Sequence, residues 1–362
     1  MNYLDLTIKE IHEALVNKKV TPLDLVNEAI KRAKEDKCNA FEYIMEKEAI
    51  MMAKALKEPE KDNLLWGIPF VIKDNISTKD IPTTASSDIL KDYVPIYNAT
   101  VVSKLIKAKA IPLAKVTLDE LAMGGTGATG HLGKTTNPYD PTHEHMVGGS
   151  SCGSAAVVAS SIVPFALGSD TGDSIRKPAS YAGLVGFKPT WGRISRYGLF
   201  PFTPSLDTVG YFTRSVEDST ILLNVVAGHD FNDFTSSKKK VEDYSKDLNK
   251  PIKGIKIAVI KEIIDSVSDA NIQNKFKETL KIYEGLGATI NYVSVDRELL
   301  KTLFPTYYII SCAEATSNNA NLDGIKFGPR YEGEDYETVM STARTKGFSE
   351  LIKRRFIIGS YS

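Results

Sequence analysis

The chain has 362 residues, 42% of them hydrophobic, with 45 basic and 45 acidic side chains and so no net charge at pH 7. Its length allows one large domain or two around a sizeable core, and its charge balance argues against this chain alone gripping a nucleic-acid backbone. Three widely spaced cysteines, Cys38, Cys152 and Cys312, fit reduced thiols in a cytoplasmic protein better than a disulfide framework.

The chain opens on Met1-Asn2-Tyr3-Leu4-Asp5, with no basic and apolar signal-peptide pattern behind it. No apolar run reaches the ~18 residues that a membrane span needs. Residues 1–60 read as an N-terminal helical layer. Thr7-Ile8-Lys9-Glu10 is a capping-box pattern, and Thr21-Pro22 sets a cap residue before proline at the first helical position. Residues 61–362 read as the core. Phe70-Val71-Ile72 suits a buried strand ending in Lys73, which is either a snorkelling surface residue or a buried amine with a task. Residues 99–109 suit a helix and Ile111 to Val116 a strand. Thr117-Leu118-Asp119-Glu120 is expected to cap a further short helix. Alternating strand and helix predicts an α/β layered domain.

Between Gly148 and Ser174 two Gly/Ser-rich loops flank an apolar span, predicting a helix from about Gly153 and a strand from about Val163 to Gly168. Loops pinned by buried segments are where sites sit. Residues 186–210 are turn-rich, and Val216 to Ala227 suits a helix. Residues 231–250 suit a solvated connection. Ile255–Ile260, an amphipathic helix and Ala288–Val293 form a β-α-β unit.

Gly149-Ser150-Ser151-Cys152-Gly153 matches the nucleophile elbow that would make Ser151 reactive. That motif needs a strand before it and an acid and a histidine after it. His143 to Val147 is a poor strand, and His229 is the sole downstream histidine. No lysine-serine/threonine pair follows the glycines, which excludes a phosphate-binding loop. His143 and His145 lack further metal ligands at a recognised spacing. Cys152 has no histidine placed to activate it. A serine nucleophile here needs another base. Deprotonating an ordinary lysine at pH 7 costs about 4.6 kcal/mol, and burial lowers that cost. Lys73 has the flanks for it.

These segments together resemble the amidase signature family, and within it the A subunits of glutamyl-tRNA(Gln)/aspartyl-tRNA(Asn) amidotransferases. The resemblance spans residues 3–362. It rests on Gly67-Ile68-Pro69, Ile72-Lys73-Asp74-Asn75, Ala122-Met123-Gly124, Asn137-Pro138-Tyr139-Asp140 and Gly148-Gly149-Ser150-Ser151. Gly168-Ser169-Asp170-Thr171-Gly172, Ser174-Ile175-Arg176, Gly186-Phe187-Lys188-Pro189-Thr190, Tyr307-Tyr308 and Lys353-Arg354-Arg355 continue it. The branch assignment leans on Trp191 to Gly198 and on the Tyr307 and Arg355 segments.

The resemblance implies a mixed, twisted central β-sheet covered by helices on both faces. It implies a Ser–cisSer–Lys triad, with Ser174 as nucleophile, Ser150 as relay after a cis peptide bond from Gly149, and Lys73 as base. The oxyanion would be held by main-chain N–H groups of Thr171, Gly172, Asp173 and Ser174. Arg355 would bind the carboxylate of glutamine, Tyr307 would line the pocket, and main-chain groups near Met123 and Gly124 would contact substrate. It implies no metal and no cofactor on this chain. ATP and magnesium would be used through a partner, in a heterotrimer with subunits B and C, with tRNA contacted mainly through B. The competing expectations are a free-standing amidase of small amides and an inactive subunit with a role in assembly.

Three departures from the family pattern stand out. Cys152-Gly153 replaces a glycine pair. Asp173 replaces the glycine before the nucleophile, and is expected to point outward or to pair with Arg176 or Lys177. The family pattern also continues beyond Gly359-Ser360-Tyr361-Ser362, so the chain reads as truncated and its core as incomplete.

Overall fold

The computed structural model describes residues 2–362. Two capping boxes open it, with Thr7 and Glu10 starting helix α1 (Ile8–Val16) and Thr21 and Asp24 starting α2 (Pro22–Lys34). Strand β1 (Phe41–Ile44) and α3 (Glu46–Ala55) follow. The first sixty residues are thus not helical throughout, because β1 pairs antiparallel with a later strand. Then come β2 (Pro69–Lys73), α4 (Thr100–Lys107), β3 (Ile111–Val116), α5 (Cys152–Ala159) and β4 (Phe165–Asp170). They are followed by α6 (Arg176–Tyr181), β5 (Val185–Phe187), β6 (Thr208–Thr213) and α7 (Val216–Val226).

These strands form a mixed six-stranded sheet in the order β1-β3-β2-β4-β6-β5, flanked by helices. β2 runs parallel to both β3 and β4, while β6 runs antiparallel to β4 and β5. Every residue of β2, β3, β4 and β6 is buried. Near-continuous apolar runs are what strands covered on both faces require. Phe70 of β2 stacks on Phe165 of β4 with ring centroids 5.1 Å apart. The parallel pair β2 and β4 brings the carboxyl ends of both strands to one edge. In open α/β sheets that edge is where ligands bind.

The chain divides into two compact units, residues 2–244 with Ser311–Ser362, and Ser245–Ile310. The smaller unit holds the expected β-α-β: β7 (Lys256–Ile260), α8 (Lys261–Asp265), α9 (Ala270–Gly285) and β8 (Thr289–Val293), with β7 parallel to β8. Helix α10 (Arg297–Asn318) begins in the smaller unit, and α11 (Tyr336–Gly347) and α12 (Glu350–Tyr361) belong to the larger. A second apolar cluster of the larger unit joins Leu118, Leu121 and Met123 to Phe202, Ala315, Phe348 and Phe356. Among the described residues no helix is long and apolar enough to cross a membrane.

The short helix expected after Thr117 is a single 3-10 turn, Glu120–Ala122. Leu121 and Ala122 both sit at positive φ, 51° and 61°, a region that costs a non-glycine residue about 1–2 kcal/mol. Asp119 does not cap this turn, because its carboxylate is engaged elsewhere.

Candidate active site

Lys73 is the last residue of β2, and its side chain is fully buried. Its Nζ lies 2.8 Å from Ser150 Oγ, 2.9 Å from Ser169 Oγ and 3.3 Å from the Ser169 carbonyl. A neutral amine has two N–H donors and one lone pair, so three contacts saturate it when Ser150 is the donor. Burial pushes the Lys73 amine down to about 8, although Asp119, Asp170 and Asp207 nearby pull it back up. A second buried lysine, Lys115, pairs in register with Ile72 and so faces away from Lys73. It lies 2.9 Å from Asp74 Oδ1 and donates to Thr83 Oγ1 at 2.7 Å. Strand alternation therefore gives each lysine its own environment.

Ser150 follows a cis peptide bond from Gly149, and Gly148 before it has a φ of 80°. The Ser150 carbonyl accepts from the Asp119 N–H at 3.1 Å. The Asp119 carboxylate accepts from the N–H groups of Thr126, Gly127, Ala128 and Thr129, and from the Thr129 hydroxyl, at 2.8–3.1 Å. A Cβ on Gly149 would collide with that carboxylate. Asp119 thus knits the Met123 to Thr129 segment onto the serine loop.

Ser174 is buried, and its carbonyl accepts from the Ser151 N–H at 3.2 Å, which joins the two serine loops. Asp170, at the end of β4, pins the Ser174 loop from below. It accepts from the N–H groups of Ile175 and Arg176, and from the Arg176 guanidinium at 3.0 and 3.1 Å. The Thr171 hydroxyl donates to Asp207 at 2.5 Å. Among the described residues, the N–H groups of Gly172, Asp173 and Ser174 donate to nothing. Such unengaged N–H groups suit a developing oxyanion. Asp173 pairs with Lys177, Oδ2 to Nζ 2.7 Å, while Arg176 is taken by Asp170.

Asp207 also accepts from the N–H groups of Phe202 and Thr203 at 2.9 and 3.0 Å. The Arg355 guanidinium lies 5.6 Å from the Phe202 ring centroid and beside the Cys312 thiol. Arg355 is thus tied to the Ser174 loop through Phe202 and Asp207. Met123 is buried in the cluster that holds Phe202. Tyr307 falls in the smaller unit, half-buried, with its ring 6.5 Å from that of Phe304.

The structure therefore brings together Lys73 with Ser150 and the Ser150 loop with the Ser174 loop, and it connects Arg355 to them. Cys152 is buried behind this group, and burial pushes its thiol up to about 12, which leaves it a small apolar residue. His145 is exposed and held by Asp140 at 2.9 Å. Sequence reasoning assigned no site role to Asn75, Asp119, Ser169 or Asp207. Asn75 and Ser169 lie inside quoted motifs, where Asn75 Nδ2 donates to Ser169 Oγ at 3.0 Å. Their acidic and polar types at buried strand ends were the available signal.

The family model described as Amidase matches residues 24–362. The A subunit of the glutamyl-tRNA(Gln) amidotransferase of Pediococcus pentosaceus is 43% identical over 367 residues, covering all of this chain and 75% of that protein. The one from Halalkalibacterium halodurans is 44% identical over 369 residues, with the same coverage. The crystal structure of the corresponding Thermotoga maritima protein superposes with a TM-score of 0.77 at 36% identity, covering all of this chain and 71% of that one. On the matched length and on this identity, the chain belongs to the amidase signature family.

Proposed function

We propose that this chain hydrolyses glutamine as the A subunit of a tRNA-dependent amidotransferase, through Lys73, Ser150 and Ser174. The observation that carries the reading is the fully buried Lys73 amine, 2.8 Å from Ser150 Oγ, on the loop that joins the one bearing Ser174. Neutral Lys73 takes the Ser150 proton as Ser150 takes that of Ser174. Ser174 Oγ then attacks the glutamine amide carbon. Main-chain N–H groups of Thr171, Gly172, Asp173 and Ser174 hold the oxyanion. The proton returns to the leaving nitrogen, ammonia departs, and water releases glutamate from the acyl-enzyme. Arg355 takes the glutamine carboxylate, with the main chain at Met123 and Gly124 contacting the substrate. Subunits B and C complete a cytoplasmic heterotrimer. B uses ATP and magnesium and carries the tRNA to which the ammonia is delivered.

The similarity to amidotransferase A subunits supports this reading over a free-standing amidase. The test measures glutamate release from glutamine by the chain alone, with subunits B and C, and with ATP and mischarged Glu-tRNA(Gln) or Asp-tRNA(Asn) added. Turnover is expected to rise with the partners and with mischarged tRNA, and to vanish in Ser174→Ala. Hydrolysis of small amides that ignores the partners would favour the free-standing amidase, and activity in Ser174→Ala would refute the triad.

A further inference from the structure

Asp173 sets a carboxylate one residue before Ser174, in a loop whose unengaged N–H groups suit a negative oxygen. A bare anion there opposes the charge that develops in the transition state. The structure gives that carboxylate a partner, Lys177, 2.7 Å away and one helical turn on. The other nearby cation, Arg176, is spent on Asp170 and on the Gly172 carbonyl. Lys177 is itself in a defined place. Its N–H donates to the Asp173 carbonyl at 2.9 Å, and its ammonium lies 2.5 Å from where a Cβ on Gly125 would stand. The ion pair therefore bridges the Ser174 loop and the Met123 to Gly125 segment. Lys177 is more covered than Asp173, with side-chain exposures of 27% and 50%.

We infer that Lys177 is a positioning residue that neutralises Asp173 and turns its carboxylate away from the oxyanion. Asp173 is tolerated beside the nucleophile because Lys177 is present. The inference rests on Ser174 as nucleophile, but not on glutamine as substrate.

The test uses two readouts on the full chain, glutamine hydrolysis in complex with its partners and labelling of Ser174 by an alkyl fluorophosphonate. In the labelling step Ser174 Oγ bonds phosphorus, the P–F bond breaks, fluoride leaves, and the serine proton passes to Ser150 and on to Lys73. The phosphoryl oxygen takes negative charge where the amide oxyanion would. Lys177→Met is expected to slow labelling and kcat about tenfold, with KM within twofold. Lys177→Arg is expected to keep the rate. Adding Asp173→Gly to Lys177→Met is expected to recover most of the loss, because the unscreened charge is gone. A purely structural lysine gives a different result, with the double variant as slow as the single, and that outcome overturns the inference. So does a Lys177→Met chain that matches the wild type. A wild type that labels at Ser174 without hydrolysing glutamine removes the glutaminase reading, and the labelling rates still decide the role of the pair. A wild type that does not label at Ser174 removes both.

Discussion

Burial acts on Lys73 in two ways, by lowering its affinity for a proton and by fixing its direction. With its amine pushed down to about 8, a useful fraction is neutral near physiological pH. In the proposed mechanism the neutral form is the base, so kcat/KM for glutamine is expected to rise with pH through an apparent midpoint near 8 and to level above it. A pH–rate profile of the assembled enzyme checks this, and a rate that does not rise with pH through this range would remove Lys73 from the role. Lys73→Arg holds a charge that cannot be shed, and a fall of about 10²–10⁴-fold is expected. In the proposed mechanism Arg355 acts on binding rather than chemistry. Its loss to alanine removes charge-assisted hydrogen bonds worth about 1.5–3 kcal/mol each, so KM for glutamine is expected to rise at least tenfold with kcat nearly unchanged. Steady-state kinetics separate the two.

Short connecting segments, more than helices and strands, hold these side chains in place. The turn from Thr126 to Thr129 is folded around one carboxylate, that of Asp119, which also borders Gly149. Removing it strands four main-chain donors, and Asp119→Ala is expected to cost about 3 kcal/mol of stability and most of the activity. Thermal unfolding alongside a glutaminase assay would show both. His131 forms a second clamp. Its ring lies 3.0 Å from Glu42 and 3.0 Å from Asp88, and its main-chain N–H donates to the Ser86 carbonyl. Burial would lower this imidazole, but the two carboxylates outweigh burial and push it up to about 9. A group whose proton is held more tightly in the fold stabilises fully below its unfolded value, about 6.5, and loses that contribution as pH rises through its folded one. Stability is therefore expected to decline between about pH 6.5 and 9, and His131→Gln to flatten that decline. Melting temperatures across this range test it, and identical slopes in both proteins would discount the clamp.

Across the whole molecule the two units differ in how much they bury. The larger holds nearly all of the apolar core, whereas Ser245–Ile310 buries only Val259, Leu280 and Ala288 among its apolar side chains. Local opening is easiest where buried contacts are few, so amides of residues 245–310 are expected to exchange with solvent well before those of β2 and β4. Hydrogen-exchange mass spectrometry measures this, and equal protection would show one cooperative body. Much of the architecture was legible beforehand. Capping boxes, apolar runs and helical stripes are local, and they placed α1, α2, α4, α7, β2, β3 and the β-α-β unit close to where they lie. Strands β5 and β6 went unread in a stretch taken as turn-rich, and two further places were misread because local pattern loses to distant partners. β1 is a strand because β3 offers it an edge. The turn after Asp119 is not a helix because Asp119 reaches forward to Thr126–Thr129 instead of capping it. The residue types of the candidate site could be read as motifs, since Lys73, Ser150 and Ser174 each sit in a recognisable run. Their meeting could not, because hydrogen bonds such as that of Lys73 to Ser150 join residues far apart in the chain. Parallel pairing of β2 with β4, and burial on both faces, bring Lys73 to the serine loops and lower the proton affinity of its amine. Neither effect exists until the sheet is formed.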